Sequence, residues 1–208
     1  MTIRPHTKVT RDDWIASALT QLRHEPIDQL KVLTIANTLD VSRSSFYWYF
    51  EQPSDLQGEL LDLWRRNTDS IVERSKRPTS TPVAACLAVF ECWVDPLVFD
   101  AVLDLAVRDW GRRDEAIAAE VAAADTKRVE AITDMFCRHG FEPSEALVRA
   151  RLLYHSQVGY YAVGTDEPNE TRMSYLPYYL EAMAGTPPTE DEIAEFEAFN
   201  QTLGSAAT

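Results

Sequence analysis

Glycine is scarce in this 208-residue chain, at seven residues. That is too few for a protein built on tight β-turns, where glycine supplies the positive φ angles. The three cysteines, Cys86, Cys92 and Cys137, are odd in number and lack paired spacing, which argues against a disulfide framework or a zinc ribbon. They are expected as reduced, buried thiols. His6, His24, His139 and His155 are scattered without metal-ligand spacing, so no metal is expected. There is no G-x-S-x-G elbow, no glycine-rich phosphate loop and no H-E-x-x-H. An enzyme or a bound cofactor is therefore not expected, although an all-α enzyme with unobvious residues stays open. Nothing in "MTIRPHTKVTRDDW" looks like the apolar run of a signal peptide, and no later run is long enough to span a bilayer. The expectation is a cytoplasmic protein.

What is present points to helices. Hydrophobic residues make up 45% and charged residues 25% of the chain, ordinary globular proportions. Alanine, leucine, glutamate and arginine dominate, and these lose least on entering a helix, so the expected class is all-α. The net charge of −13 is unevenly spread. Residues 1–77 hold eleven Lys or Arg and eleven Asp or Glu, so the whole excess lies beyond residue 77. A neutral front attached to an acidic body suits a chain whose first third approaches something anionic.

Along the front, Trp14, Ile15, Ala18, Leu19 and Leu22 recur at helical spacing behind Thr10, a candidate N-cap, until Pro26 interrupts. Val32, Ile35, Ala36 and Leu39 repeat the pattern briefly, stopping at Asp40, a residue that tolerates the left-handed conformation of a sharp turn. Val41 plugs the corner and Ser42 is placed to cap a third helix through "RSSFYWYF". Three short helices with a tight final turn predict a helix-turn-helix over 1–52. Pro53 then opens a longer helix, about 53–76, with Leu56, Leu60, Leu63, Trp64 and Ile71 on one side. Beyond "RPTSTP" a helical body, 77–208, is expected, with helices near 82–94, 97–110, 114–139, 143–164, 171–184 and 188–203.

The stretch "VSRSSFYWYF" holds more rings than a small module can bury. Phe46 and Phe50, one turn apart, can face inward, leaving Arg43, Ser44, Tyr47 and Trp48 elsewhere. Arg43 is a bidentate donor suited to guanine, and Ser44 and Ser45 are small hydroxyls that fit against phosphates or base edges. Tyr47 and Tyr49 can donate to phosphate oxygens, and Trp48 can touch sugars or a thymine methyl. The plainer alternative is that these rings only brace the next helix.

Taken together, "LTIANTLDVSRSSFYWYFEQPSDLQGELL" resembles the DNA-binding signature of the tetracycline-repressor (TetR) family of bacterial regulators. The shared elements are Ile35-Ala36 in the second helix, the Val41-Ser42 turn, and Tyr47-Trp48-Tyr49-Phe50 ending the third. The resemblance covers about the first 60 residues. It implies a recognition helix with Arg43, Ser44 and Trp48 nearest the bases, with Ser42 at its start. It also implies that Ser45, Tyr47, Tyr49 and Lys31 hold the DNA backbone and that Leu33 grazes a base methyl. Two positions depart from the family pattern: Asp40 replaces the usual turn glycine, and Pro53 replaces a common phosphate-contacting lysine. The second loss predicts weaker DNA binding, with Lys31, Arg43, Arg4 and Lys8 as substitutes.

The resemblance further implies a homodimer on a palindromic operator, most simply as a repressor, with a body that binds a small-molecule effector and pairs through its last long helices. Leu147, Ala150, Val158 and Tyr161, with Tyr175 and Tyr179 on the following ring-rich helix, are the expected pairing residues, with ordinary intrachain packing as the plainer alternative. Phe90, Trp93, Phe99, Leu103, Trp110, Phe136, Tyr154, His155 and Gln157 are the expected effector lining. Asp104 and Arg108, four apart, read as a helix-surface ion pair. A helical adaptor for a protein partner, with little DNA binding, remains the rival reading.

Overall fold

A computed structural model describes residues 9–165 and 167–206; Arg4, His6 and Lys8 lie outside the described residues. Every regular element among the described residues is helical. The chain runs through α1 (Arg11–Gln21), a 3₁₀ turn (Ile27–Gln29), α2 (Val32–Thr38), a 3₁₀ segment (Arg43–Trp48) and α3 (Pro53–Ser75). Then follow α4 (Pro82–Val94), α5 (Ala101–Gly111), α6 (Glu115–Arg138), α7 (Pro143–Val163), α8 (Asn169–Ala184) and α9 (Glu190–Ala206). They gather into two units, Met1–Trp64 with Val102–Ala119, and Arg65–Ala101 with Glu120–Thr208.

In the first unit, α1 starts on a capping box: the Thr10 hydroxyl accepts from the Asp13 amide, and the Asp13 carboxylate accepts from the Thr10 amide at 2.7 Å. These hydrogen bonds hold the Asp13 carboxyl below the usual carboxylate range. Trp14, Ala18 and Leu22 form its buried stripe. α2 ends as expected, with Asp40 at φ 53°. The Val41 amide donates to the Ala36 carbonyl and the Asp40 amide to that of Asn37, the paired bonds of a left-handed helix stop. Trp14 meets Phe46 edge-on at 5.3 Å, and Phe46 stacks on Phe50 at 4.8 Å, so the two inward rings of the aromatic stretch form the heart of this module.

The 102–119 stretch also belongs to this unit, and one of its polar groups sits in the interior. Asp104 is only 2% exposed. Its carboxylate accepts the Trp64 indole N–H at 2.7 Å and the Arg108 Nε–H at 2.7 Å. The ion pair read from the i, i+4 spacing exists, but it is buried, because the indole of α3 covers the acid. Arg113 adds a bidentate pair to Asp28, at 2.8 and 3.1 Å, holding the Asp28 carboxyl low.

In the second unit, α4 is buried on nearly every side: Val83, Ala85, Cys86, Leu87, Ala88, Val89, Cys92 and Trp93 are all buried. Burial pushes the Cys86 thiol up to about 12 and the Cys92 thiol to about 11, and all three cysteines are free. α4 packs against α8 and α9, and α7 against α8. The expected helix near 97–110 begins later, at Ala101, because 95–100 is a turn. The Asp95 carboxylate accepts the Leu97 amide there, and the buried Asn67 side chain both donates to and accepts from the Asp100 backbone. Gly185 closes α8 at φ 77°, and a Cβ there would come within 2.8 Å of the Arg149 guanidinium, so geometry and space both demand glycine.

Candidate nucleic-acid interface and a cleft in the helical body

The helix expected to run from Ser42 to Phe50 is a six-residue 3₁₀ segment. Its i→i+3 winding appears in the bonds from the Ser45 amide to the Ser42 carbonyl and from the Tyr49 amide to the Phe46 carbonyl, each 3.0 Å. Ser42 stands at the cap position without making a side-chain cap. Its hydroxyl instead shares hydrogen bonds with those of Ser44, 2.8 Å, and Ser45, 3.0 Å. The hydroxyls satisfy one another, so the first turn is not drawn into α-helical registration.

Around that segment the rings divide as their spacing suggested. Phe46 and Phe50 are buried, whereas Trp48 is 78% exposed and Tyr47 and Leu33 are also exposed. Lys31, Ser42, Arg43 and Ser44 are exposed, and Ser45 is half-buried. Arg43 lies 3.5 Å from the Tyr47 hydroxyl, as a donor one helical turn before it. Tyr49 is turned away from this face: half-buried, it donates its phenol hydrogen to the Val9 carbonyl oxygen and ties the start of the chain to the module. α2 packs against the 3₁₀ segment, which places Lys31 and Leu33 on the neighbouring element. At the start of α3, Pro53 is exposed, and the Asp55 carboxylate accepts the Glu51 and Gln52 amides at 2.9 and 3.0 Å. One acid, Asp55, therefore occupies the first turn of the helix where the sequence lacks a lysine.

A cation, a cluster of small hydroxyls and an indole are exposed together, donor and apolar groups of the kinds with which proteins contact base edges and phosphates. A large indole left in water also forgoes stabilisation that burial would provide, so its placement fits a surface that becomes covered.

The residues expected to line an effector site are dispersed. Trp93, Phe99, Phe136 and Tyr154 are buried core residues of the second unit. Tyr154 and Phe99 surround Arg128, which is 0% exposed. Arg128 donates to the Tyr154 hydroxyl and to Thr68, each at 2.8 Å, and its guanidinium lies 5.7 Å from the Phe99 ring centre. The Tyr154 hydroxyl donates onward to Asp125 at 2.5 Å, so the buried cation is balanced through a phenol. Leu103 and Trp110 fall in the first unit, and His155 is exposed. Phe90 and Gln157 do border a cavity. It is a cleft of about 220 Å³ between α4, α7, α8 and α9.

Of the pairing residues expected from the sequence, Ala150 is fully buried, and Tyr161 is engaged within the unit, donating to the Trp93 carbonyl at 3.2 Å and stacking on Phe99. Leu147 and Val158 are half-buried, whereas Tyr175 and Tyr179 are exposed. The apolar face that is open consists of Val148, Leu152 and Val163 on α7 and Tyr175, Tyr178 and Tyr179 on α8. Sequence reading missed Val148, Leu152, Val163 and Tyr178 because both helices carry apolar residues on more than one side, and that surplus was the available signal.

No family model and no curated protein matches the chain. Among solved structures, AmtR of Mycobacterium smegmatis superposes with a TM-score of 0.63 at 15% identity, covering 97% of each chain. A possible TetR family transcriptional regulator from Streptomyces coelicolor A3(2) aligns over 95% of this chain and 98% of its own at 17% identity, but its TM-score of 0.36 is too loose to bear on the fold. The chain has the TetR-like all-α fold that its N-terminal motif led one to expect.

Proposed function

We propose that this protein is a dimeric transcription regulator of the TetR family. Two copies present their Arg43–Trp48 segments to successive major-groove faces of a palindromic operator, and effector binding in the body changes that affinity. The carrying observation is the exposure of Trp48, Tyr47 and Leu33 beside Arg43 on a helix-turn-helix whose Trp14, Phe46 and Phe50 rings are buried. Arg43 and Ser44 read bases in this account; Lys31, Ser45 and Tyr47 contact phosphates, with Tyr49 positioning the chain start through Val9. The simplest regulatory outcome is repression in the cytoplasm, released by ligand. Among the described residues, no helix is long and apolar enough to cross a membrane.

The test is selection from a random duplex library at two salt concentrations, followed by sequencing. An enriched two-fold palindrome is expected, with half-sites about 10 base pairs apart or a multiple of that. Arg43→Ala should then weaken binding by about 1–3 kcal/mol and relax the preference at one position of each half-site. No enrichment at either salt would overturn the reading in favour of a helical adaptor for a protein partner.

A further inference from the structure

The cleft in the second unit holds a polar group that no described residue answers. Its walls are apolar, formed chiefly by Phe90 and Val94 of α4, Met173, Leu176 and Met183 of α8, and Phe196 of α9. Set among them is Gln157 of α7, 9% exposed, whose amide nitrogen has no hydrogen-bond partner among the described residues. A buried donor left unmet is costly, and leucine or methionine would fill the position without that penalty. The glutamine is therefore a poor choice for packing and a good one for recognition.

The rim carries a second donor. Arg172 lines the cleft with its guanidinium laid over the Tyr160 ring, 4.9 Å from the centroid, and no carboxylate lies within ion-pair distance of it among the described residues. The nearby acid, Glu167, accepts from the Tyr160 hydroxyl at 3.3 Å instead. Gly159, also in the lining, stands inside α7, where glycine is destabilising relative to alanine. A Cβ there would meet nothing within 4 Å, so no neighbour in the chain requires the glycine, and its absent side chain leaves the cleft open.

We propose that this cleft binds a small, mainly apolar carboxylate, its hydrocarbon or aromatic body against the α4, α8 and α9 side chains and its carboxylate accepting from the Gln157 amide and the Arg172 guanidinium. Neither donor has an acceptor among the described residues, which selects a ligand that brings one, and the apolar walls select the rest of the molecule. Met173 and Met183 are flexible enough to fit more than one such body. The proposal rests on the effector reading above and gives that effector a place and a chemical class.

The full-length protein can be titrated with 1-anilinonaphthalene-8-sulfonate, an aromatic anion, and with its uncharged analogue N-phenyl-1-naphthylamine, reading fluorescence and stoichiometry. One anionic probe per chain is expected. Gly159→Leu should abolish binding by filling the cleft, at an open helical position that tolerates it, and Gln157→Leu should weaken it by about tenfold or more. Arg172→Met should erase the preference for the anion over its neutral analogue. Probe binding that survives all three substitutions would overturn the site and place the dye on the open faces of α7 and α8. A change of oligomeric state in Gly159→Leu with probe binding intact would also overturn it, assigning the space to a second copy of the chain. The same samples, assayed on the selected operator, separate the two proposals. Probe in the cleft with unchanged operator affinity leaves the site standing and removes its effector role, whereas a selected operator with no probe in the cleft removes the site alone.

Discussion

Asp104 shows how far one side chain can depart from its local pattern. Four residues before Arg108 on a helix, it invites the reading of a solvated pair worth a few tenths of a kcal/mol. The structure keeps the pair and buries it, with the Trp64 indole N–H as a further donor. Nothing within α5 announces this, because Trp64 is forty residues away and the contact exists only once α3 is in place. Asp104→Ala should therefore cost about 2–4 kcal/mol, since it strips a buried indole and a guanidinium of their shared acceptor. Asp104→Asn, which keeps one acceptor oxygen, should lose less. Chemical denaturation of both variants checks this, and equal, sub-kcal losses would return Asp104 to the surface. Gln157 was legible as a polar residue among apolar ones, but its unmet amide was not, because that depends on what three other helices fail to offer.

At the scale of the element, turns were easier to read than windings. The stop after α2 was visible in Asp40, and the left-handed φ followed from its side-chain chemistry. Replacing it makes that geometry measurable. Asp40→Ala should lower stability by about 1 kcal/mol, because alanine has neither glycine's freedom nor the local hydrogen bonding of aspartate. Asp40→Gly should be neutral or slightly stabilising, as relief of the left-handed cost offsets the greater freedom of the unfolded chain. Thermal unfolding of the two variants decides it, and identical midpoints would mean that the turn relaxes. The helix over 42–50 was misread in its winding because apolar spacing does not separate 3₁₀ from α, and the local hydroxyl bonds of Ser42 with Ser44 and Ser45 show only once the side chains are placed. The burial of Phe46 and Phe50 was readable, since their spacing holds in either winding. The later start of α5 was hidden for a similar reason: Asn67, distant in sequence, holds the 95–100 turn open.

For the molecule as a whole, helix content and the N-terminal motif carried the fold, while the body's surfaces had to await coordinates. α7 and α8 are apolar on two sides, one facing the core and the other presenting Val148, Leu152, Tyr178 and Tyr179. Sequence periodicity alone could not decide which side was which, so fully buried Ala150 was assigned to pairing and exposed Val148 was passed over. If these open faces join two copies, Val148→Glu combined with Tyr178→Glu should give a folded monomer by sedimentation, with operator affinity reduced by at least tenfold through loss of the paired half-site contact. A double variant that remains dimeric would move the interface elsewhere.

The first unit is assembled from two separate stretches of chain, Met1–Trp64 and Val102–Ala119. The front end is thus not a detachable cassette. A hybrid made by splicing the front 76 residues onto a foreign body would carry the Trp64 indole without the carboxylate of Asp104 and Asp28 without the guanidinium of Arg113. Exchange of front ends between proteins of this fold by simple recombination is therefore handicapped unless the 102–119 stretch travels with the front end. Drift of individual residues on the Arg43–Trp48 segment faces no such barrier, because the residues on its exposed side are not part of the packing that holds the unit together.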